Sequence, residues 1–348
     1  MATKGYNSYS GRRNGKKIAL VVVLLLILLG AVAYLLAQQY VVYEDDGSIR
    51  LELPFFTKKD TPAPLPSSDE VNIQRDDEDP DAKPTPTKPT SALEELHATE
   101  LPYGVLTWDP SELLVDESAV VVNVKRFDGA IAYQSSLTTL PDSVLQGNPD
   151  TLTHLKTIMD SDCYTVARVS ALCDNAFALG RPESAMRYPD GQLWYDNYSR
   201  TWLDPSQSST VEYLCALAKE CEKLGFDEIL LEHFRYPIEG DLSLTSLSEN
   251  TDRGAAIAKL AGEIHKAAPS LRVSVMLPAS IGTDYSFSAS GLPAKVLAEN
   301  FDRIYVPRES AASYWLDGAL PADYDRAARL VLTDYAVPSE SGSYMVCQ

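Results

Sequence analysis

Apolar positions fall into three unlike patterns along the chain. Residues 18–37 (IALVVVLLLILLGAVAYLLA) form one run of twenty residues without a charge. At about 1.5 Å per residue, a helix of that length covers roughly 30 Å, the thickness of a bilayer core. Residues 38–100 show no sustained period. Some strand-like apolar content lies in 40–53, and 58–90 carry Pro62, Pro64, Pro66, Pro80, Pro84, Pro86 and Pro89 among charged and hydroxylated residues. Such a stretch cannot bury enough apolar surface to offset the entropy of ordering it, and reads as an extended spacer. From residue 101 onward, short β-branched runs alternate with apolar residues at helical spacing.

Within 101–348, the runs 103–107, 119–124 (AVVVNV), 164–169 (YTVARV), 228–232 (EILLE), 271–277 (LRVSVML), 303–306 (RIYV), 330–333 and 343–347 predict eight strands. Leu152, Leu155, Ile158 and Met159 predict a helix after the second. Val211, Leu214, Cys215, Ala218, Cys221 and Leu224 make the apolar face of a longer helix. Its expected start is a capping box, Ser209-x-x-Glu212, and its expected end is a left-handed Gly225. Helices over 252–268 and 293–299 precede the fifth and sixth strands. A short repeat supports this parsing: Gly225-Phe226-Asp227-Glu228-Ile229-Leu230 recurs 75 residues later as Asn300-Phe301-Asp302-Arg303-Ile304-Tyr305. Eight strands alternating with helices predict an α/β fold of the (β/α)8, TIM-like barrel type. An open doubly wound sheet is the rival, but no glycine-rich phosphate turn follows an early strand.

Charge assigns these segments to compartments. The formal net charge is −19. Residues 1–17 hold five bases and no acid, 38–100 hold fifteen acids against six bases, and 101–348 hold thirty-four against nineteen. Arg12, Arg13, Lys16 and Lys17 directly before the apolar run orient it with the N-terminus in the cytoplasm. The expected organisation is a basic cytoplasmic tail (1–17), a transmembrane helix (18–37), an acidic proline-rich stalk (38–100) and a barrel domain (101–348) outside the cell membrane. Ala31-Val32-Ala33 has the small-x-small form of a signal-peptide cleavage site. The apolar run continues past it, which favours a retained anchor. A polyanion of this kind is a poor nucleic-acid binder. Five cysteines exclude a disulfide scaffold and read as free thiols. No H-E-x-x-H, C-x-x-C, P-loop or G-x-S-x-G is present, so no metal and no cofactor is expected.

In a barrel, chemistry collects where strands end. The third strand delivers Arg168 and then Asp174, and the fourth delivers Glu232, His233 and Arg235. Asp284 and Tyr285 follow the fifth, Arg308 and Glu309 the sixth. Alternation places Val166 with Arg168 on one face and Leu230 with Glu232 on one face; if both faces point into the barrel, Arg168 lies on the strand beside Glu232 and His233 turns toward the helices. Arg168 beside Glu232 would keep that carboxyl ionised, or would simply be a structural ion pair. The loop 172–208 contains Trp194, Tyr195, Tyr198 and Trp202, which suit either sugar stacking or the loop's own packing.

The series from Ala167 to Gly240 resembles the glycosyl-hydrolase family of TIM-barrel proteins from bacterial envelopes. The matching pieces are Ala167-Arg168-Val169 with Asp174, Pro182-Glu183, Asp190-Gly191 with Trp194, Trp202-Leu203-Asp204-Pro205, Glu212-Tyr213, Gly225-Phe226-Asp227-Glu228-Ile229, and Glu232-His233-Phe234-Arg235-Tyr236-Pro237. Upstream, Asn123-Val124-Lys125 with Gly129 and Tyr133 also fits. The resemblance implies hydrolysis of glycosidic bonds in a polysaccharide or oligosaccharide. That reaction ordinarily uses two carboxyl groups. Glu232 is the first expected, Asp174 the second, and Glu309 and Asp284 follow. Arg168, Arg235, Lys125 and Asn123 are the expected supporting residues, with Trp194, Trp202, Asp204 and Tyr236 against the sugar. Two positions depart from the family pattern: Asn123 stands where members usually carry Asp, and Glu232 stands for Asp, one methylene longer. Those departures keep a non-catalytic glycan- or protein-binding barrel open as the alternative.

Overall fold

The computed structural model describes residues 41–43, 49–51, 93–339 and 341–348. The chain divides into two compact units, residues 1–83 and 84–348. In the first, β1 (Val41–Tyr43) pairs antiparallel with β2 (Ile49–Leu51), Val42 opposite Arg50. The charge-free run 18–37 and residues 52–92 lie outside the described residues. Among the described residues, no helix is long and apolar enough to cross a membrane.

The second unit is a closed barrel of eight parallel strands in chain order. They are β3 (His97–Glu100), β4 (Ala119–Lys125), β5 (Tyr164–Ser170), β6 (Glu228–Glu232), β7 (Arg272–Met276), β8 (Ile304–Pro307), β9 (Leu330–Asp334) and β10 (Tyr344–Val346), which closes on β3. The helices are α1 (Asp150–Met159), α2 (Asn175–Gly180), α3 (Ser208–Leu224), α4 (Arg253–Ala267), α5 (Asp284–Ser290), α6 (Ala294–Asn300), α7 (Ala311–Ala319) and α8 (Arg326–Arg329). Seven strands fall within the expected runs or overlap them. The first does not: the expected strand 103–107 contains a 3-10 turn, Val105–Thr107, entered through left-handed Gly104 at φ 81°. The ladder reaches Leu101, whose N–H bonds the Val121 carbonyl; Pro102 then offers no N–H on the opposite, β10, side, and the chain turns away. The barrel therefore begins ahead of the expected boundary at 101.

Alternation along the strands builds two apolar layers. Ala98, Ala119, Val121, Val166, Leu230, Tyr305, Val331 and Met345 form one buried cluster inside the barrel. The intervening Val120, Val122, Ala167, Val169, Ile229, Leu231, Val273 and Val275 belong to the larger core shared with the helices. Each such valine or leucine contributes about 1.5–3 kcal/mol of burial. At the N-terminal end of the strands, buried Glu228 accepts from Tyr164 Oη at 2.9 Å and Tyr305 Oη at 2.8 Å and pairs with Arg303. A buried carboxylate needs this full set of donors.

The repeat has a structural meaning. Asp227 accepts the Thr165 N–H at 2.7 Å, and Asp302 accepts the Val273 N–H at 2.7 Å. Each Asp thus clamps the entry of its strand to the strand before it. Gly225 closes α3 at φ 102°, its N–H on the Cys221 and Glu222 carbonyls. The expected Ser209–Glu212 capping box does not form. Gln207 is the N-cap, and Ser209, already inside the helix, accepts from Ser184 Oγ at 2.6 Å. All five cysteines are free thiols, with Cys173 and Cys221 buried.

Candidate active site

Four strand ends bring Glu100, Asn123, Arg168 and Glu232 to the C-terminal mouth of the barrel. Arg168 forks onto Glu232, with Nη2 to Oε1 at 3.0 Å and Nε to Oε2 at 3.2 Å. Its remaining Nη1 bonds Glu100 Oε1. One guanidinium therefore spans two carboxylates and holds them within about 8 Å of each other. Side-chain exposure is 16% for Arg168, 10% for Glu100 and 27% for Glu232, so Glu232 is the member most open to solvent. Burial pushes the Glu232 carboxyl up, but the charge and hydrogen bonds of Arg168 outweigh it and hold the group below the usual carboxylate range. The same pairing outweighs burial at Arg168 and raises its guanidinium further. Asn123, directly beside Arg168 on β4, is half-buried and adds no charge.

Glu100 escapes sequence reasoning because the first strand is expected after it. Leu96, Ala98 and Glu100 alternate on one face, and that short period-two pattern is the available signal. His233 also departs from expectation. Its backbone is left-handed at φ 54°, which breaks the alternation. The ring then meets Ser170 Oγ at 3.0 Å through Nδ1 and lies edge-on to Trp202 at 5.7 Å. Burial pushes the imidazole down to about 4, so it is neutral at neutral pH.

Asp174 lies behind the mouth and not in it. It is fully buried; Oδ1 caps α2 by accepting the Phe177 N–H at 2.8 Å, and Oδ2 accepts Lys125 Nζ at 2.9 Å and Tyr213 Oη at 3.1 Å. Lys125 Nζ also donates to the Ser170 carbonyl. Both charges are consumed by this internal pair, so Asp174 is not brought to a cleft with Glu232. Gly129, at φ 93°, makes the arrangement possible: a Cβ there would stand 2.4 Å from Asp174 Oδ1.

The expected sugar contacts are enclosed as well. Trp194 and Trp202 are 1% and 0% exposed, so their indole faces are covered by the loop itself. Arg235 lies 5.0 Å from the Trp202 ring centre and forks onto Glu239, while Trp202 Nε1 donates to Asp196. Tyr236 is fully buried, and Asp204 closes a turn by accepting from Ser206 and Gln207. Exposed rings lie elsewhere: Tyr103, Phe127, Tyr195, Tyr198, Tyr285 and Tyr335 all sit on segments that follow strand ends. Asp284 accepts from Trp315 Nε1 at 2.7 Å, and exposed Glu309 pairs with Arg308, which also binds Asp334. Among the described residues, no group of three or more His, Cys, Asp and Glu side chains is arranged to hold a metal ion.

The family described as "Putative glycosyl hydrolase domain" matches residues 115–304. The chain belongs to this family. The family match takes in Asn123, Lys125, Arg168, Asp174, Glu232 and Arg235, and leaves Glu100 outside. A hypothetical protein from Ruminiclostridium thermocellum is 24% identical over 51% of this chain and 96% of its own, with a TM-score of 0.45. The glycoside hydrolase domain of PelA from Pseudomonas aeruginosa is 16% identical over 70% and 85%, with a TM-score of 0.42. Ega3 from Aspergillus fumigatus, solved in complex with galactosamine, is 10% identical over 72% and 85%, with a TM-score of 0.42. No curated protein matches the chain.

Proposed function

We propose that the barrel hydrolyses glycosidic bonds in an envelope or extracellular polysaccharide, with Glu232 as its ionised carboxylate. The observation that carries this reading is the two-pronged Arg168–Glu232 pair at the barrel mouth, partly open to solvent. An ionised carboxylate is what attack on the anomeric carbon, or activation of water, requires. Asp174 is assigned a supporting role: it neutralises Lys125 and fixes the loop after β5. Glu100, on the other side of the same guanidinium, is the second carboxyl in reach. For the rest of the chain, we propose that residues 18–37 cross the membrane, that 1–17 stay in the cytoplasm, and that a stalk through about residue 92 holds the barrel outside. The absence of charge from 18–37 and the bases before it support this topology.

One observation favours a second reading, a non-catalytic glycan-binding barrel. A glycosidase needs a proton donor as well as a base, and donors are carboxyls with raised pKa. Yet the two carboxyls at the mouth, Glu232 and Glu100, share the one Arg168 guanidinium, and Asp174 is enclosed with Lys125. Reducing-end release from a panel of envelope glycans separates the two. The hydrolase reading expects release by the native chain and a loss of at least about a thousandfold in Glu232→Gln. Full activity of Glu232→Gln would remove that residue from the mechanism, and binding without release would favour the second reading.

A further inference from the structure

A cavity of about 480 Å³ opens between the loop after β6 and helix α5, on the same end of the barrel as Glu232. Its lining includes Glu249, Thr251, Asp252, Arg253, Tyr285 and Ser288, none of which belongs to the Glu100–Arg168–Glu232 cluster. The volume falls in the range of small-ligand sites, roughly 300–1,000 Å³. The walls are tied to the Glu232 strand. The Tyr236 N–H donates to the Ser290 carbonyl at 2.9 Å, and Arg253 Nη1 donates to the Ala289 carbonyl at 2.7 Å. The Arg253 guanidinium also lies 5.6 Å over the Tyr236 ring, and it is in no ion pair among the described residues.

The lining offers both hydrogen-bonding senses and a flat face. Glu249 accepts, as does the Asp252 oxygen that does not cap α4 at the Ala255 N–H, Arg253 donates, and Thr251 and Ser288 do either. Tyr285 is 82% exposed and contributes an uncommitted phenol ring. An anion would need a lining of one sign, which two carboxylates beside one guanidinium do not provide. A ring bearing hydroxyl groups, with one apolar face, uses all of these groups together.

We propose that this cavity is an accessory glycan-binding site, which holds a segment of the polysaccharide away from the point of cleavage; its ligand class rests on the glycosidase reading. A chain that occupies both places is retained better than a short fragment that fills only the mouth. The site is tested by affinity electrophoresis of the detergent-solubilised full chain in gels containing glycol chitin, galactomannan or β-glucan. Retardation is expected in at least one gel. It should weaken about tenfold in Tyr285→Ala, the scale of a lost aromatic stack, and in the cavity-filling Ser288→Trp. Tyr314→Ala, an exposed ring on α7, should leave it unchanged. Melting curves confirm that each variant folds. Unchanged retardation in both cavity variants overturns the proposal, as does no retardation of the native chain in any gel. If Glu232→Gln loses hydrolysis while Tyr285→Ala keeps full retention, the accessory site fails and the hydrolase reading stands. If Tyr285→Ala loses retention by a chain that cleaves none of the polymers, the site stands and the hydrolase reading fails.

Discussion

Glu232 stays ionised chiefly because of one guanidinium, and that dependence can be measured. In the native chain, burial and Arg168 oppose each other at this carboxyl, and Arg168 prevails. A group with a lowered folded pKa contributes stability above its unfolded value, about 4.3, and loses it as pH falls through the folded value. Any activity that needs the anion should therefore persist below the ordinary carboxylate range. Arg168→Met removes the main opposing cation and leaves Glu100 and Glu232 facing each other, with burial opposed only by smaller effects such as that of Arg235. The acid limb of kcat/KM should then move to higher pH. An acid limb that stays in place would show that Arg168 does not set the ionisation of the reacting group. This pair is legible in the sequence because period-two alternation does not depend on context. Glu100 is not, since it ends a four-residue strand immediately before Leu101-Pro102. The tryptophans are not legible either: residue type reports how much surface there is to bury, and only the closed loop around Trp194 and Trp202 reports whether it is buried.

At the level of elements, two anchors outside the strands hold the loop after β4. Gly129 sits where a side chain would meet Asp174 Oδ1 at 2.4 Å and Ala176 Cβ at 2.6 Å, with φ at 93°. Gly191 has nearly the same backbone, φ 89°, but a Cβ there would meet nothing within 4 Å. Gly191→Ala should thus cost only the strain of a left-handed residue, about 1 kcal/mol. Gly129→Ala should cost about 2–3 kcal/mol more, from crowding against a buried ion pair. Equal costs in urea titrations would refute that distinction. The second anchor is Glu220 on α3, buried beneath the loop after β4. It accepts from Tyr133 Oη at 2.9 Å, Ser135 Oγ at 2.6 Å, Ser136 Oγ at 2.8 Å and the Ser136 N–H. Glu220→Ala should release the Ser136 amide to fast hydrogen exchange and lower stability by about 2–3 kcal/mol, leaving amides in β6 protected. Elements of regular period are readable in advance, including the repeated Phe-Asp turn. The four donors on Glu220 are not, because they arrive from residues more than eighty positions away.

For the whole molecule, the net charge of −19 is better read as three separate quantities than as one. On the topology proposed above, the five bases of residues 1–17 would orient the chain, the acids of 38–100 would favour a spacer over a packed domain, and the excess on the barrel would favour its solubility. On that topology the bases and the apolar run act together, and they can be separated experimentally. The full chain should sediment with membranes, resist extraction by high salt or carbonate, and be released by detergent. A chain starting at residue 38 should remain in the soluble fraction with the same barrel. Protease added to intact cells or spheroplasts should digest the barrel side and spare a tag at residue 1. Salt extraction of the full chain would point instead to electrostatic attachment by residues 1–17, since a spanning helix is indifferent to ionic strength while a basic patch is not. Release of a shortened product with its N-terminus near Ala33 would identify the apolar run as a cleaved export signal, and the barrel would then act free of the membrane.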